Sequence, residues 1–271
     1  MKRLLLWWTV AAATALYLTP ILVMLAGSFK SNSRVLLEAG TWRAFLPDQG
    51  WQNYANVLRR VEFWHLLGNS LIVTGSIVVS GLVVNSSAAY ALARLRFRGR
   101  EPLLVLVLAL MTVPFETIAV PLFYQVSLAG WRDTLMVQIL PFVGNAFSIY
   151  LFYSFFLALP PELEEAAALD GASPWQVFRF LAVPNSAPAY ATVSVITFVG
   201  AWASYLWPLM VTAGEGVRPL SLAVAAFHTL PPLLWGDVLA FGVMMVTPVV
   251  LMFALLQRWF VPTASFSGIK G

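Results

Sequence analysis

Long apolar stretches recur along this chain, and they decide which folds are open to it. A hydrocarbon core about 30 Å thick needs about twenty mostly apolar residues per helix. Of the 271 residues, 60% are hydrophobic and 10% are charged, against roughly 25% charged in soluble domains. The sequence therefore predicts an all-α, multi-pass membrane protein, a single domain over residues 1–271 with six transmembrane helices. The six predicted spans are Leu4–Ser28, Leu66–Ala93, Leu103–Val126, Leu135–Leu157, Pro188–Thr212 and Val238–Phe260.

The first span and the short loops predict a topology. The apolar run after Lys2 and Arg3 is longer than the roughly seven to fifteen residues of a cleavable signal, so we expect a retained helix. An even number of spans puts both termini on one side of the membrane. The arginine-dense loop 94–100 favours the cytoplasm for that side.

A more polar segment, residues 160–187, separates the fourth and fifth spans. Two prolines end the fourth span, and three acids follow where the positive end of a helix dipole favours them. Gly171 suits the end of this short helix, and Ser173 with Pro174 suits the start of a second one. The acids are Glu162, Glu164 and Glu165.

One face of the first short helix carries small side chains at helical spacing. Leu163, Ala166, Ala167 and Asp170 follow an i, i+3, i+4, i+7 pattern, which would let another surface approach closely. Physical chemistry alone leaves a second interpretation equally open, in which the segment is an interfacial elbow that only joins two spans.

The spacing of this segment resembles the EAA-x3-G-x9-I-x-L-P signature of permease subunits of bacterial ATP-binding-cassette importers. After Glu165-Ala166-Ala167, three residues intervene before Gly171, and nine further residues intervene before Leu181-Ala182-Val183-Pro184. The runs NSLIVTGSIVVSGLVVNSSAAYALARLRFRGR, AWASYLWPL and QRWFVPTASFSGIKG are similar to the carbohydrate-importer branch, in particular to the second permease of maltose-type systems. The resemblance implies the type I importer permease fold. It also implies an ATPase-coupling loop that includes Glu164, Glu165, Ala166, Ala167, Asp170, Gly171 and Pro184.

The resemblance also implies the working assembly. It predicts a second permease subunit of different sequence, two ATPase subunits and an extracytoplasmic solute-binding protein, in the bacterial cytoplasmic (inner) membrane. ATP and Mg would bind the partner ATPase, with no cofactor, metal or nucleic acid on this chain. The sequence contains no G-x-x-x-x-G-K-[ST], H-E-x-x-H or G-x-S-x-G motif, so we expect a transport subunit and not an enzyme.

Polar side chains inside two spans are candidates for a path for a carbohydrate or related polyol. In the second span Asn69, Ser76 and Ser80 fall within about 40° of one another at about 100° per residue, a stripe that is costly to expose to lipid. Ordinary packing between helices would also explain such a stripe. The fifth span adds Trp202, Ser204 and Tyr205, whose rings suit either sugar faces or a membrane-interface belt.

Glu116 lies between Pro114 and Pro121 in the third predicted span. A carboxylate at the middle of an isolated membrane helix costs roughly 2.5–3.5 kcal/mol, so we expect it to face the interior, near Trp202 and Tyr205. A structural hydrogen bond to a neighbouring helix is the alternative. Glu116 is also the candidate carrier for the runner-up function, a proton-coupled secondary transporter, which would leave the EAA-like loop without a role.

Overall fold

A computed structural model describes residues 2–228 and 233–259, and these residues form helices and loops without a strand. The all-α prediction is confirmed. In chain order the α-helices are α1 (Lys2–Gly27), α2 (Asn32–Leu37), α3 (Gln52–Arg60), α4 (Phe63–Arg94), α5 (Arg100–Leu110), α6 (Phe115–Leu128), α7 (Leu135–Ile139), α8 (Ala146–Leu157), α9 (Pro161–Leu169), α10 (Pro174–Val177), α11 (Val183–Asn185), α12 (Ala187–Trp202), α13 (Leu206–Val211), α14 (Val224–His228) and α15 (Trp235–Leu256).

Among the described residues, three helices are long and apolar enough to cross a membrane, and each overlaps most of one predicted span. They are α1, α4 and α15. A 3-10 turn, Gln257–Trp259, follows α15. Phe260, the last residue of the sixth predicted span, lies outside the described residues, as does most of the QRWFVPTASFSGIKG run.

The third predicted span is not one helix. It consists of α5 and α6, whose axes differ by 100°. Pro114 stands at the break with an extended backbone (ψ 142°), because a proline in a helix interior removes a hydrogen bond and clashes with the preceding turn. The prediction of one continuous helix over residues 103–126 is therefore wrong.

The fourth and fifth predicted spans are also interrupted. A bend of 42° separates α7 from α8, with a 3-10 turn at Leu140–Phe142. Residues 203–205 separate α12, which has only 16 residues, from α13. Within the described part of the chain, up to five crossings result if each strongly bent pair counts as one, so the six-span count stays a prediction.

The helices group into two compact units. The first is Met1–Leu67 with Leu220–Val250, and the second is Gly68–Pro219 with the segment from Leu251 onward. In the first unit the Lys30 ammonium is buried and pairs with Glu38, as a buried charge requires. Asn53 Nδ2 donates to the Ser28 and Lys30 carbonyls at 2.8 and 2.7 Å, and Asn32 Oδ1 accepts from the Gly236 N–H at 2.7 Å. Buried hydrogen bonds thus fix the segment between α1 and α4 against the start of α15.

Aromatic rings form much of the core of the second unit. Tyr90 on α4 contacts Phe156 on α8, with ring centroids 5.7 Å apart, and Phe178 just after α10 at 5.1 Å. A smaller cluster surrounds the buried Trp207 on α13, which packs with Val126 and Val137. These two clusters hold the helices that carry the two candidate sites below.

Candidate functional site

The polar segment folds into the short helices that the sequence predicts. Pro161 occupies the first turn of α9, together with Glu162 and Glu164. Gly171 follows its last turn with φ +79°, where its N–H donates to the Ala168 carbonyl at 3.0 Å and the next N–H donates to the Ala167 carbonyl at 3.0 Å. This pair of bonds is a Schellman C-cap, which requires the left-handed backbone that glycine adopts without strain.

The second half of the segment is anchored in the core. Ser173 and Gln176 form a capping box, in which Gln176 Oε1 accepts from the Ser173 N–H at 2.7 Å and Ser173 Oγ accepts from the Gln176 N–H at 3.4 Å. A π-helical turn, Phe178–Ala182, follows, with the Phe178 ring inserted against Tyr90. π-turns of this kind occur frequently at functional sites.

The first half of the segment is open. No residue of α9 is buried, and Leu169 is 90% exposed beside the acids. Glu165, Ala166 and Asp170 are exposed, and Ala167 is half-buried. Leu169 lies one helical turn after Glu165, and an exposed leucine of this kind is typical of a surface that a partner protein covers.

The adjacent acids Glu164 and Glu165 have different environments. Glu164 is partly buried, with Oε1 3.5 Å from Arg94 Nε. Arg94 also donates through Nε and Nη2 to the Phe156 carbonyl, at 3.0 and 2.6 Å, and through Nη2 to the Leu159 carbonyl. Glu165 is exposed on α9, and Pro184 is exposed in the first turn of α11.

A cavity of about 310 Å³ lies inside the second unit. Five helices supply its walls: α4, α7, α8, α12 and α13. Rings of Phe142, Trp202 and Trp207 form an apolar part, and small polar side chains form the rest. The polar lining includes Thr74, Gln138, Asn145, Ser148, Thr197 and Ser204.

Helix breaks bring polar groups into this cavity. Asn145 caps α8 by accepting from the Ser148 N–H at 2.9 Å, and Asn85 on α4 holds the same break by donating to the Val143 carbonyl at 3.0 Å. Trp207 Nε1 donates to the Val137 carbonyl at 2.8 Å. Neighbouring side chains satisfy the backbone groups freed at each break. Non-helical backbone buried inside a membrane protein is tolerated under that condition.

Two of the predicted path residues, Trp202 and Ser204, line the cavity. Asn69 does not, because its side chain donates to the Gly216 and Arg218 carbonyls, both at 3.0 Å. Ser76 and Ser80 line a different and more open groove along α4, and Ser80 Oγ donates to the Ser76 carbonyl. Their part in the path stays a prediction.

Glu116 and Tyr205 also lie outside the cavity lining. The break at Pro114 moves Glu116 from mid-helix to the first turn of α6, where a helix dipole favours an acid, and its side chain is exposed. Glu116 is therefore not a mid-helix residue of this chain, and its place beside the path stays a prediction. Tyr205, which precedes α13, is 43% exposed.

Sequence reasoning missed Thr74, Gln138, Asn145 and Ser148, which also line the cavity. Only the Asn-x-x-Ser spacing of residues 145–148 carried a local signal, because asparagine is a favoured N-cap. The other side chains reach the cavity through tertiary packing, which the helical period alone does not reveal.

The segment 213–219 closes one end of the cavity through Pro219. Gln138 Nε2 donates to the Val217 carbonyl at 2.8 Å, and Asp133 Oδ1 accepts from the Gly214 and Ala213 N–H groups at 3.1 and 3.0 Å. These backbone hydrogen bonds, that from Gly214 foremost, hold the pKa of the Asp133 carboxyl below its usual range. Asp133 itself has a left-handed backbone, φ 59°.

Comparison with known proteins identifies the family. Residues 71–265 match the family of binding-protein-dependent transport system inner membrane components, and the chain belongs to it. The chain is 32% identical over 260 residues to the diacetylchitobiose uptake system permease protein NgcG of Streptomyces coelicolor, covering 94% of this chain and 83% of that protein. It is 30% identical over 249 residues to the lactose transport system permease protein LacG of Rhizobium radiobacter, covering 92% and 90%.

A solved structure has the same fold. It is a chain of a bacterial ABC transporter involved in the import of the acidic polysaccharide alginate, with a TM-score of 0.80, 24% identity and 96% of each chain covered. The type I importer permease fold is thus confirmed. The chain is a membrane permease subunit and not an enzyme, and the runner-up, a proton-coupled secondary transporter, is not supported.

Proposed function

We propose that this chain and a second, different permease chain together form the translocation path for a carbohydrate or related polyol. Two ATPase subunits bind ATP and Mg and drive alternating access, and an extracytoplasmic solute-binding protein delivers the solute. The loop 160–187 docks one ATPase subunit through Glu165, Ala166, Ala167 and Asp170. Both termini are then cytoplasmic in the bacterial inner membrane.

One observation carries the coupling part of the proposal. The helix α9 has no buried residue, yet it begins with two prolines and ends in a Schellman C-cap, and the nearby turn at Phe178 is inserted into the core. A surface held rigidly on a packed base while leaving its own face uncovered suits a partner that pushes on it.

The cavity supports the carbohydrate class. Hydroxyl and amide side chains supply hydrogen-bond partners for sugar hydroxyls, and aromatic rings beside them suit the apolar faces of a sugar ring. The relatives named above, permeases of diacetylchitobiose and lactose systems, agree with this class.

The test is to purify the chain from the membranes of bacteria that also express the genes for the other subunits of the transporter. An ATPase subunit should co-purify. Reconstituted vesicles should take up a labelled solute, from a panel that includes lactose and diacetylchitobiose, only when ATP is present on the side of the membrane where the ATPase subunits lie. Failure of any ATPase subunit to co-purify would overturn the proposal. So would uptake that continues without ATP and stops when the proton gradient is collapsed.

A further inference from the structure

Three walls of the cavity have different connections to the coupling loop. The main chain leads from α8 into the loop and from the loop into α12, and both helices reach the cavity, through Ser148 and Thr197. The helix α4 also lines it, through Thr74, but the chain leaves α4 at Arg94 toward α5 and not toward the loop. Movement of the loop therefore reaches α4 only through side-chain contacts.

Arg94, the last residue of α4, makes those contacts. Its guanidinium donates to the Phe156 and Leu159 carbonyls at the C-terminal end of α8 and lies 3.5 Å from the Glu164 carboxylate. The site is mostly shielded, since the side chain of Arg94 is 12% exposed. A guanidinium suits this position because its planar fork binds several oxygens at once, and its charge favours the negative end of α8.

Packed rings make the connection stiff. Tyr90 lies one turn before Arg94 on α4 and packs against Phe156 of α8 and Phe178 of the loop. Ala89 and Ala93, on the same part of α4, are buried in this cluster. Close-packed protein interiors have low compressibility and transmit strain, so this cluster can carry movement of the loop to α4.

The helix itself then spans the distance. Thr74 lies about twenty residues before Arg94, which is about 30 Å along an α-helix axis. Both residues belong to the same uninterrupted helix, in contrast to the broken pairs α5–α6 and α7–α8.

We infer that Arg94 is a positioning residue that makes α4 follow the coupling loop, so that ATP-driven movement of α9 displaces the Thr74 wall of the cavity. Glu164 holds the guanidinium from the loop side, while the exposed Glu165 is left for the ATPase. The inference rests on the proposed function, because it requires an ATPase docked on α9.

The experiment uses the whole purified complex and a reporter cysteine. The chain contains no cysteine, so Thr74→Cys provides a single thiol of this chain on the α4 wall. Companion chains are used in cysteine-free form where needed. The reaction rate of this thiol with methyl methanethiosulfonate, a small neutral reagent, is measured without nucleotide and after trapping with ATP and vanadate.

With Arg94 in place, we expect the two rates to differ. Arg94→Gln should retain the ATPase subunit, because Arg94 lies outside the exposed face of α9. It should lower the ratio of the faster to the slower of the two rates by roughly fivefold or more, toward 1. Arg98→Gln is the matched control, since it removes the same charge from an exposed position between α4 and α5 and should leave the ratio unchanged.

If loss of the carbonyl contacts prevents Arg94→Gln from folding, Arg94→Lys and Glu164→Gln replace it in the experiment. Arg94→Lys keeps the positive charge and loses the planar guanidinium, and Glu164→Gln loses only the negative charge opposite Arg94. Both should reduce the ratio in complexes that retain the ATPase. An unchanged ratio in these variants, a Thr74→Cys thiol that never responds to nucleotide, or loss of the ATPase from Arg94→Gln would each overturn the inference. If no ATPase binds the unmodified chain, the proposed function fails instead.

Discussion

The helix α9 and the cavity differ in which side chains they bury. Every residue of α9 is left at least partly exposed, although two leucines and three alanines are among them. The cavity instead encloses polar side chains such as Thr74, Gln138 and Ser148 that are almost fully buried. The helix is local, since its caps and its face come from about ten consecutive residues. The cavity is assembled from five helices and from the breaks between them. An exposed local surface suits a protein partner, and an enclosed polar one suits a small polar solute.

The largest effect that would sharpen this comparison is expected at Gly171. A β-branched residue at φ +79° is strained, so Gly171→Val should disrupt the C-cap and displace α9. We expect ATPase binding to fall by about tenfold or more, measured by co-purification from membranes with equal amounts of the chain. Gly130→Val, which strains another left-handed glycine (φ +68°) outside the coupling loop, is the control and should retain binding. Equal binding in both variants would show that the cap does not position the docking face.

Glu165→Lys should have the next largest effect. It places a positive charge near the N-terminal half of α9, against the helix dipole, and reverses a charge on the exposed face. Helix-dipole effects of about 0.3–1 kcal/mol and the lost partner contact together predict a several-fold weaker ATPase association. Glu101→Lys, an exposed acid in the first turn of α5, is the matched control. Weakening by both variants alike would indicate a general charge effect and not docking.

Asn145→Ala tests the cavity side of the comparison. It removes the cap of α8, which costs about 1 kcal/mol, and a polar group from the cavity wall. We expect the melting temperature of the complex to fall by a few degrees and solute-stimulated ATPase activity to fall, with ATPase binding unchanged. Asn185→Ala removes an exposed asparagine that bonds only the Leu181 carbonyl, and should do neither. A loss of ATPase binding in Asn145→Ala would remove the distinction between the two regions.

The smallest effect concerns pH and the segment that closes the cavity. The pKa of Asp133 lies below its ordinary value of 3.8, so the ionised carboxylate stabilises the fold above about pH 4, and this stabilisation is lost as the pH falls through the lower, folded-state pKa. Asp133→Asn should therefore flatten the decline of the melting temperature between about pH 4 and pH 3. A wild-type decline in Asp133→Asn would mean that the contact with Gly214 does not stabilise the fold.

The same contrast explains how much of the molecule could be predicted. Caps and small-residue spacing are local signals, so α9, Gly171 and Ser173 followed from neighbouring residues. Hydropathy located the apolar stretches but not Pro114 as a break, because an apolar window averages over a single proline. Glu116 was therefore expected in a mid-helix position that does not exist. Gln138 and Thr74 reach the cavity only through contacts between residues that are far apart in the sequence. The helical period of about 3.6 residues does not predict such contacts.

The central claim is that an ATPase subunit docks on α9 from the cytoplasm. In this cysteine-free chain, Ala168→Cys introduces a single thiol in the exposed helix, and Gly216→Cys introduces one in the segment that closes the cavity. An impermeant thiol reagent should label the cysteine at position 168 only from the cytoplasmic side, and bound ATPase should protect it, while the cysteine at position 216 should react only from outside. Labelling at position 168 from outside, or equal labelling with and without the bound ATPase, would contradict the account.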